Sequence, residues 1–186
     1  MPTSFHGQIS TILDFILKER PRTILDVGIG FGKYGVLCRE FLDIMPGRYE
    51  KKDWQVRIDG IEGFSEYRNP IHDYVYDRVY YGLIQEVFDK LEVRYDFALM
   101  IDVLEHFNKE EGYISVNGLL KKCRLLLISV PAIPCDQSYL SNELEKHRSI
   151  WKPGDFKRFK VKRVDVIPMT VYNSAIIALL KGEDEI

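Results

Sequence analysis

The sequence lacks several features that would define its class at once. It has three cysteines in 186 residues, an odd number without the spacing of zinc ligands. Cys38, Cys123 and Cys135 are therefore expected to be reduced thiols of a cytoplasmic protein. No apolar run approaches the ~20 residues of a membrane helix, and no basic-then-apolar signal pattern opens the chain. We expect no membrane partner.

An excess of charge of one sign is also missing. The 26 basic and 28 acidic side chains give a net charge of −2, so no global basic field attracts nucleic acid. A local basic run remains at residues 157–163. The chain is 46% hydrophobic and 29% charged, which is typical of a globular protein. Its length suits one domain with a sizeable core.

One stretch is unusually rich in glycine. Residues 23–27 form a short apolar run that predicts a buried parallel strand, and a helical pattern begins near Lys33. The glycines between them are Gly28, Gly30 and Gly32. Glycine allows a sharp turn and close approach of a ligand to the main chain, and the helix start offers free N–H groups. Asp26 is exceptional, because a carboxylate inside an apolar strand needs hydrogen-bonding partners.

Other glycine-rich sites fit this stretch less well. The spacing Gly30-x-Gly32-x-x-Gly35 satisfies the dinucleotide fingerprint, but Glu62 lies farther away than the ribose-binding acid should. A phosphate-binding P-loop needs a small hydroxyl after Gly32-Lys33, where Tyr34 stands. Kinase catalytic motifs do not occur. A tight turn without a ligand is the remaining alternative.

The rest of the chain alternates between strand and helix patterns. Six further strands are predicted, at residues 54–61, 77–81, 95–101, 124–130, 159–167 and 172–180. Helices are predicted at 10–18, 33–42 and 84–91 and after Asn108, whereas Asn69-Pro70 is taken as a break. The alternation favours an α/β, doubly wound parallel sheet, and two last strands without a helical crossover predict a terminal hairpin.

Two motifs carry a resemblance to a known family. Asp26-x-Gly28-x-Gly30-x-Gly32 resembles the first motif of class I S-adenosylmethionine (SAM)-dependent methyltransferases. Residues 102–107, Asp-Val-Leu-Glu-His-Phe, resemble the motif after the fourth strand of small-molecule and quinone-type members. The resemblance implies a Rossmann-like, seven-stranded, mostly parallel sheet in the order 3-2-1-4-5-7-6 with an antiparallel last strand. It also implies one SAM-dependent methyltransferase domain over residues 1–186 without a separate substrate domain.

The resemblance also assigns the parts of the cofactor SAM to strand ends. The helix start after Gly32 suits the methionine carboxylate, and Glu62 can accept both ribose hydroxyls. Leu83 is a departure, because many members have an acid there that meets the adenine amino group, so backbone groups or Gln85 must serve instead. The cofactor-binding residues expected are Asp26, Gly28, Gly30, Gly32, Glu62, Gly63, Phe64, Gly82, Leu83, Asp102 and Val103.

Two histidines are the candidates for a catalytic role. His106, one turn beyond the fourth strand, and His147, in a stretch similar to one before strand six of the quinone-type families, are the candidate catalytic residues. For each, a structural role is the alternative. RNA 3′-end methyltransferases also carry Glu and His here, as metal ligands with further partners. No such partner cluster is visible in the sequence, so no metal is expected.

The methyl acceptor is not identified by any motif. The Asn/Asp-Pro-Pro-aromatic motif of enzymes that methylate DNA bases or glutamine is absent, which favours a small-molecule acceptor. Two other functions remain open. One is a non-catalytic module of the same fold that binds SAM or a nucleoside, and the less favoured one is an NAD-dependent oxidoreductase.

Overall fold

A computed structural model describes residues 3–133 and 142–183 of the chain. The strands are β1 (Thr23–Val27), β2 (Arg57–Glu62), β3 (Arg78–Tyr81), β4 (Tyr95–Ile101), β5 (Cys123–Pro131), β6 (Val161–Pro168) and β7 (Ser174–Lys181). The α-helices are α1 (Ile9–Glu19), α2 (Lys33–Arg39), α3 (Pro70–Val75), α4 (Ile84–Val87) and α5 (Lys109–Lys122).

The strands form one sheet in the order β3-β2-β1-β4-β5-β7-β6. The first five strands pair in parallel, and β7 runs antiparallel to both β5 and β6. The predicted doubly wound sheet, its order and its antiparallel last strand are confirmed. Because the chain leaves β1 toward β2 and later returns to β4, the topological switch point lies between β1 and β4. Ligands of open α/β sheets bind at the carboxyl ends of the strands at such a point.

The central strands are buried because apolar layers cover both faces of the sheet. Phe97 and Leu99 of β4 pack into one layer, whereas Ala98 and Met100 pack into the other. This alternation explains the nearly continuous apolar sequence of β4, which a strand with one solvated face would not need. The outermost strand β6 is mostly exposed or half-buried, as its more polar sequence requires.

Helix α3 is the main element that the sequence pattern missed. The sequence pattern predicts a break at Asn69-Pro70, but Asn69 caps the helix by accepting a hydrogen bond from the Ile71 backbone N–H, at 2.8 Å. Proline is favoured at the first helical position because the missing N–H has no partner there in any case. The same dipeptide is therefore a helix start.

Two smaller predictions also need correction. Strand β2 begins at Arg57, because residues Lys51–Asp53 form a 3₁₀ turn and Trp54 packs its ring 4.1 Å from the Arg39 guanidinium carbon. The apolar positions after Asn108 predict Ile114 on the inner face of the helix with Leu119 and Leu120, but Ile114 is 55% exposed and lines the cavity described below.

Two predictions made from the composition concern the cysteines and the absence of a long apolar helix. Cys38 and Cys123 are buried free thiols, as predicted. Cys135 lies outside the described residues, as does Leu140, which the sequence predicts in a short helix together with Leu144. None of the helices within residues 3–133 and 142–183 combines the length and the apolar character that crossing a membrane requires.

Candidate active site

A cavity of about 400 Å³ opens at the carboxyl ends of β1 to β4. Its volume lies within the usual range of small-molecule sites, roughly 300–1,000 Å³. The predicted site residues on its wall are Asp26, Gly28, Gly30, Glu62, Gly63, Gly82, Leu83, Asp102, Val103 and His106. Gly32, Phe64 and His147 are not on the wall. Residues from four separate strand ends thus meet at one place.

The glycine loop follows β1 with three left-handed residues, as the spacing predicted. Gly28, Gly30 and Gly32 have φ values of +72°, +52° and +92°. A Cβ atom on Gly28 would lie 2.4 Å from a methyl carbon of Val103, so glycine is also required sterically there. Gly32 packs against the side chains of α3, which is why it lies off the cavity wall.

Glu62 ends β2 and holds the loops on both sides of it. Its two carboxylate oxygens each accept a hydrogen bond of 2.8 Å, one from the Gly30 N–H and one from the Phe64 N–H. Phe64 therefore contributes its backbone here, while its ring packs 4.9 Å from that of Tyr67. Burial raises the pKa of Glu62 to about 7. A carboxylate oxygen can accept more than one hydrogen bond, so both oxygens of Glu62 still have room for ligand hydroxyls.

Asp26, the buried carboxylate inside the apolar strand β1, has the hydrogen-bond partner that such a position requires. The Tyr76 hydroxyl donates to Asp26 Oδ2 at 2.7 Å. Burial raises the pKa of Asp26 to about 6, and the hydrogen bond from Tyr76 opposes that rise. Asp26 thereby fastens the base of the glycine loop to the end of α3.

Asp102 stands at the end of β4 in a strained conformation, with φ of +53°. Its Oδ2 accepts a hydrogen bond of 2.7 Å from the Gln8 amide. Its Oδ1 is buried and has no hydrogen-bond partner within residues 3–133 and 142–183. Burial raises the pKa of Asp102 to about 6, partly offset by Gln8, Ser4 and the charge of Lys33. Backbone strain and an unsatisfied buried oxygen on a cavity wall are both typical of a ligand-binding residue.

Helix α3 clamps the glycine loop through His72. The His72 Nε2 lies 2.8 Å from the Gly30 carbonyl oxygen, and Nδ1 lies 3.0 Å from the Tyr81 hydroxyl. Because a carbonyl only accepts, Nε2 carries the proton and Nδ1 accepts from Tyr81. Burial lowers the pKa of His72, which keeps the ring in this neutral form. Gly30 is thus held at its N–H by Glu62 and at its carbonyl by His72.

Substituting His72 should weaken ligand binding without direct contact. We expect His72→Phe to lower SAM affinity about tenfold, because an unsatisfied buried carbonyl costs about 1–3 kcal/mol and 1.4 kcal/mol is tenfold. Titration calorimetry measures the affinity. Tyr81→Phe is the matched control, since it removes the other hydrogen bond of the same ring. His72→Gln should restore most of the affinity through its amide N–H. Unchanged binding by His72→Phe would contradict the clamp.

A segment after the fifth strand lies over the mouth of the cavity. The Tyr67 hydroxyl donates to Glu145 Oε1 at 2.9 Å and accepts from the Asn142 amide at 3.2 Å. Leu144 lies beside the cavity, and a Cβ atom on Gly63 would meet its methyl carbon at 3.0 Å. The segment therefore covers the end of β2.

The adenine end predicted near β3 is apolar. Leu83 lines the cavity and is 42% exposed, so an apolar ring could stack on it. Gln85 also lines the cavity, and its amide nitrogen donates to Ser115 Oγ at 2.8 Å. This hydrogen bond fixes the amide at its nitrogen end.

The two predicted catalytic histidines, His106 and His147, lie close together beside Glu105. The rings of His106 and His147 lie 5.0 Å apart, and His147 Nε2 lies 4.0 Å from Glu105 Oε1. The potential ligand atoms of these three residues lie within 4.8 Å of one another. The expectation that no cluster accompanies Glu105 and His106 was therefore wrong. His106 is on the cavity wall, and burial lowers its pKa.

Comparisons with known proteins show a fold and no family. No protein-family model matches the chain, and no curated protein matches it. Solved structures do match. Magnesium protoporphyrin IX methyltransferase (ChlM) from Synechocystis PCC 6803, with bound SAM, has a TM-score of 0.60 and 17% identity over 95% of this chain and 80% of its own.

Two other structures extend the comparison. TehB from Haemophilus influenzae has a TM-score of 0.64 and 11% identity, and an rRNA methylase from Escherichia coli has 0.58 and 17%. The chain is covered to 94% and 95%, respectively, but spans 62% of TehB and 64% of the rRNA methylase. The chain has the Rossmann-like methyltransferase fold.

Several residues that shape the site of this methyltransferase fold escaped sequence reasoning. Gln8 and Asp102 meet although 94 residues separate them, and Tyr67 and Glu145 meet across 78. No local pattern encodes such pairs. His72 could have been found, because Asn69-Pro70 is a recognisable helix start that places it on the first turn.

Proposed function

We propose that the chain is a SAM-dependent methyltransferase. The observation that carries this proposal is a pair of carboxylates, the buried Glu62 and the half-buried Asp102, on either side of the glycine loop. Glu62 has the acceptor capacity for a ribose diol, and Asp102 has a buried oxygen that lacks a partner among the described residues. SAM carries a diol and, at its other end, an ammonium group. The fold shared with a SAM-bound structure supports the same assignment.

The remaining parts of SAM have partners on the cavity wall. The methionine carboxylate would meet the N–H groups at the start of α2, with the Lys33 ammonium nearby. The ammonium would bind Asp102 Oδ1, next to Val103. The adenine would lie between Leu83 and Ile114, with the Gln85 amide at its edge. Asp26 and the glycines supply the shape that lets the cofactor approach the main chain.

The transfer itself asks little chemistry of the protein. SAM already carries a sulfonium, so the acceptor attacks the methyl carbon as the carbon–sulfur bond breaks and its electron pair goes to sulfur. The protein then supplies orientation and an electrostatic setting. His106 lies on the cavity wall as the candidate base for an acceptor proton, whereas His147 lies behind it. We propose a small-molecule acceptor, bound within this one domain of residues 1–186 without a separate substrate domain.

Binding and turnover experiments separate the alternatives. Dinucleotide-binding sheets place a sixth strand next to the fifth, in the order 3-2-1-4-5-6, whereas here the antiparallel strand β7 lies between β5 and β6. We therefore expect calorimetry to show binding of SAM and none of NADH. Methyl release from SAM with pools of small-molecule acceptors would then distinguish an enzyme from a module that only binds. Binding of NADH in preference to SAM would contradict the proposal.

The proposed role of Asp102 can be tested with ligands that contain or lack the amino-acid portion of SAM. We expect Asp102→Asn to weaken binding of SAM and of S-adenosylhomocysteine about tenfold, because hydrogen bonds to charged groups contribute about 1.5–3 kcal/mol. Methylthioadenosine lacks the amino-acid portion, so its affinity should stay the same. The control is Asp14→Asn, a carboxyl on α1 that is not on the cavity wall. Equal losses for all three ligands would remove Asp102 from the methionine end.

A further inference from the structure

A cluster of three ligand-type side chains lies where β4 ends, beside the cavity. Glu105 and His106 follow β4 on a 3₁₀ turn, Leu104–His106, and His147 comes from the segment that leads to β6. The cluster joins parts of the chain about 40 residues apart, and one of its members, His106, lines the cavity. Neither the fold nor the proposed methyl transfer requires these residue types together.

Each histidine is oriented for ligation. The His106 Nδ1 lies 3.3 Å from the Lys146 carbonyl oxygen, so Nδ1 carries a proton and Nε2 bears the lone pair. Histidine ligands usually donate their other nitrogen to such a carbonyl, which fixes the ring. His147 presents Nε2 to Glu105 Oε1 at 4.0 Å. Both rings therefore direct a nitrogen toward the same small volume.

The Glu105 carboxylate is a second, independent observation that points to a bound cation. The residue is 2% exposed, and its Oε2 accepts no hydrogen bond from the residues that the structure describes. The charges of Asp102 and Glu145 repel that of Glu105 and raise its pKa, so neither acid stabilises the Glu105 carboxylate. The backbone carbonyl of Glu105 is already satisfied by the N–H groups of Arg148 and Ser149, at 2.8 and 3.1 Å. A buried carboxylate oxygen in such a place is normally paired with a cation or coordinates a metal.

We propose that Glu105, His106 and His147 bind one divalent transition-metal ion. Two imidazoles and one carboxylate form a donor set that suits zinc or iron and leaves coordination positions open. Donor atoms around tetrahedral zinc are about 3.4 Å apart, given bonds of about 2.1 Å. The observed separations, all within 4.8 Å, need side-chain shifts of about an ångström. Magnesium prefers an all-oxygen octahedral shell, so the site selects against it.

The position of the site suggests what the ion would do. Because His106 lies on the cavity wall, an ion bound to it would face the space left for the acceptor. Its open coordination positions could take one oxygen or nitrogen of that acceptor and hold it toward the methyl donor. The metal site itself does not depend on the proposed function.

The test uses the metal alone. Untagged full-length protein, freed of metal with a chelator and dialysed, is titrated calorimetrically with zinc chloride and, separately, with magnesium chloride. We expect one zinc ion per chain and no binding of magnesium. Glu105→Gln and His147→Asn should each lower zinc affinity at least about 100-fold, beyond the 10–100-fold cost of losing an outer partner. The control is His6→Ala, an exposed histidine outside the cluster, which should bind zinc as the wild type does.

Every outcome bears on the proposal. If wild-type protein binds no zinc, or if it binds zinc no more tightly than the two cluster variants do, the site is refuted. SAM titrations on the same samples show whether each variant is folded. Zinc binding without SAM binding would overturn the proposed methyltransferase function and leave the metal site standing. The reverse result would refute the metal site alone.

Discussion

A Gly30→Val protein should show no measurable binding of SAM, a loss of more than about 100-fold. Gly30 has φ of +52°, a conformation that β-branched residues adopt only under strain. Its N–H and carbonyl are both engaged, by Glu62 and His72, so the loop cannot rotate away without breaking one of them. The new side chain would also occupy the space in which the cofactor approaches the main chain.

Gly47 provides a matched control for backbone strain. It has φ of +94° in a turn after the first crossover helix, and a Cβ atom there would meet nothing within 4 Å. We expect both Gly47→Val and Gly30→Val to lower the melting temperature, but Gly47→Val should leave SAM binding intact. Calorimetry and thermal unfolding of both variants separate strain from site geometry. Normal SAM binding by Gly30→Val would remove the glycine loop from the site.

Glu62→Gln should weaken SAM binding about 10–100-fold at pH 8, because the charged hydrogen bonds it loses contribute about 1.5–3 kcal/mol. Methylthioadenosine should lose affinity to the same extent, since it keeps the ribose. The pKa of Glu62 is about 7, so the wild-type carboxyl is mostly protonated at pH 6. The two proteins should therefore differ far less at pH 6 than at pH 8. Equal affinity at pH 8 would refute the ribose assignment.

Because of this carboxyl, we expect the free energy of unfolding and the affinity for SAM to change with pH in opposite directions. Burial raises the pKa of Glu62 from 4.5 to about 7, so the folded protein holds this proton over a pH range in which the unfolded chain has released it. Its contribution to stability is therefore greatest below pH 4.5 and falls as pH rises toward 7. If Glu62 binds the ribose of SAM, SAM affinity should rise over the upper part of that range as the carboxyl ionises. Thermal unfolding of wild type and Glu62→Gln across this range would isolate the contribution.

The sequence was most informative where one strong local rule acted. The apolar run of β4 fixed its bounds, Tyr95–Ile101, because a central strand tolerates little else. Asn108 caps α5, as predicted, with its side chain accepting from the Glu111 N–H at 2.9 Å. The glycine spacing predicted a sharp turn after β1, and two of these glycines, Gly28 and Gly30, have positive φ values and line the cavity. These features need no knowledge of distant contacts.

The parts that the sequence did not show depend on packing between distant segments. The role of His72 follows only once α3 docks beside the glycine loop, and the hydrogen bond of Tyr76 to Asp26 joins residues 50 positions apart. Glu105 and His147 come together only because Arg148 and Ser149 donate their N–H groups to the Glu105 carbonyl. A single sequence does not show which distant residues come into contact, so these residues are read as parts of unrelated motifs.

The place of β7 in the sheet has a consequence for how the protein is made. It is the last strand along the chain, yet it lies between β5 and β6 rather than at an edge. During synthesis β5 therefore presents an unpaired apolar edge until residues 174–181 have left the ribosome. Open edges of this kind recruit other strands, so the unfinished chain is the form most exposed to aggregation. Loss of this one strand would leave β6 without a partner and β5 permanently open.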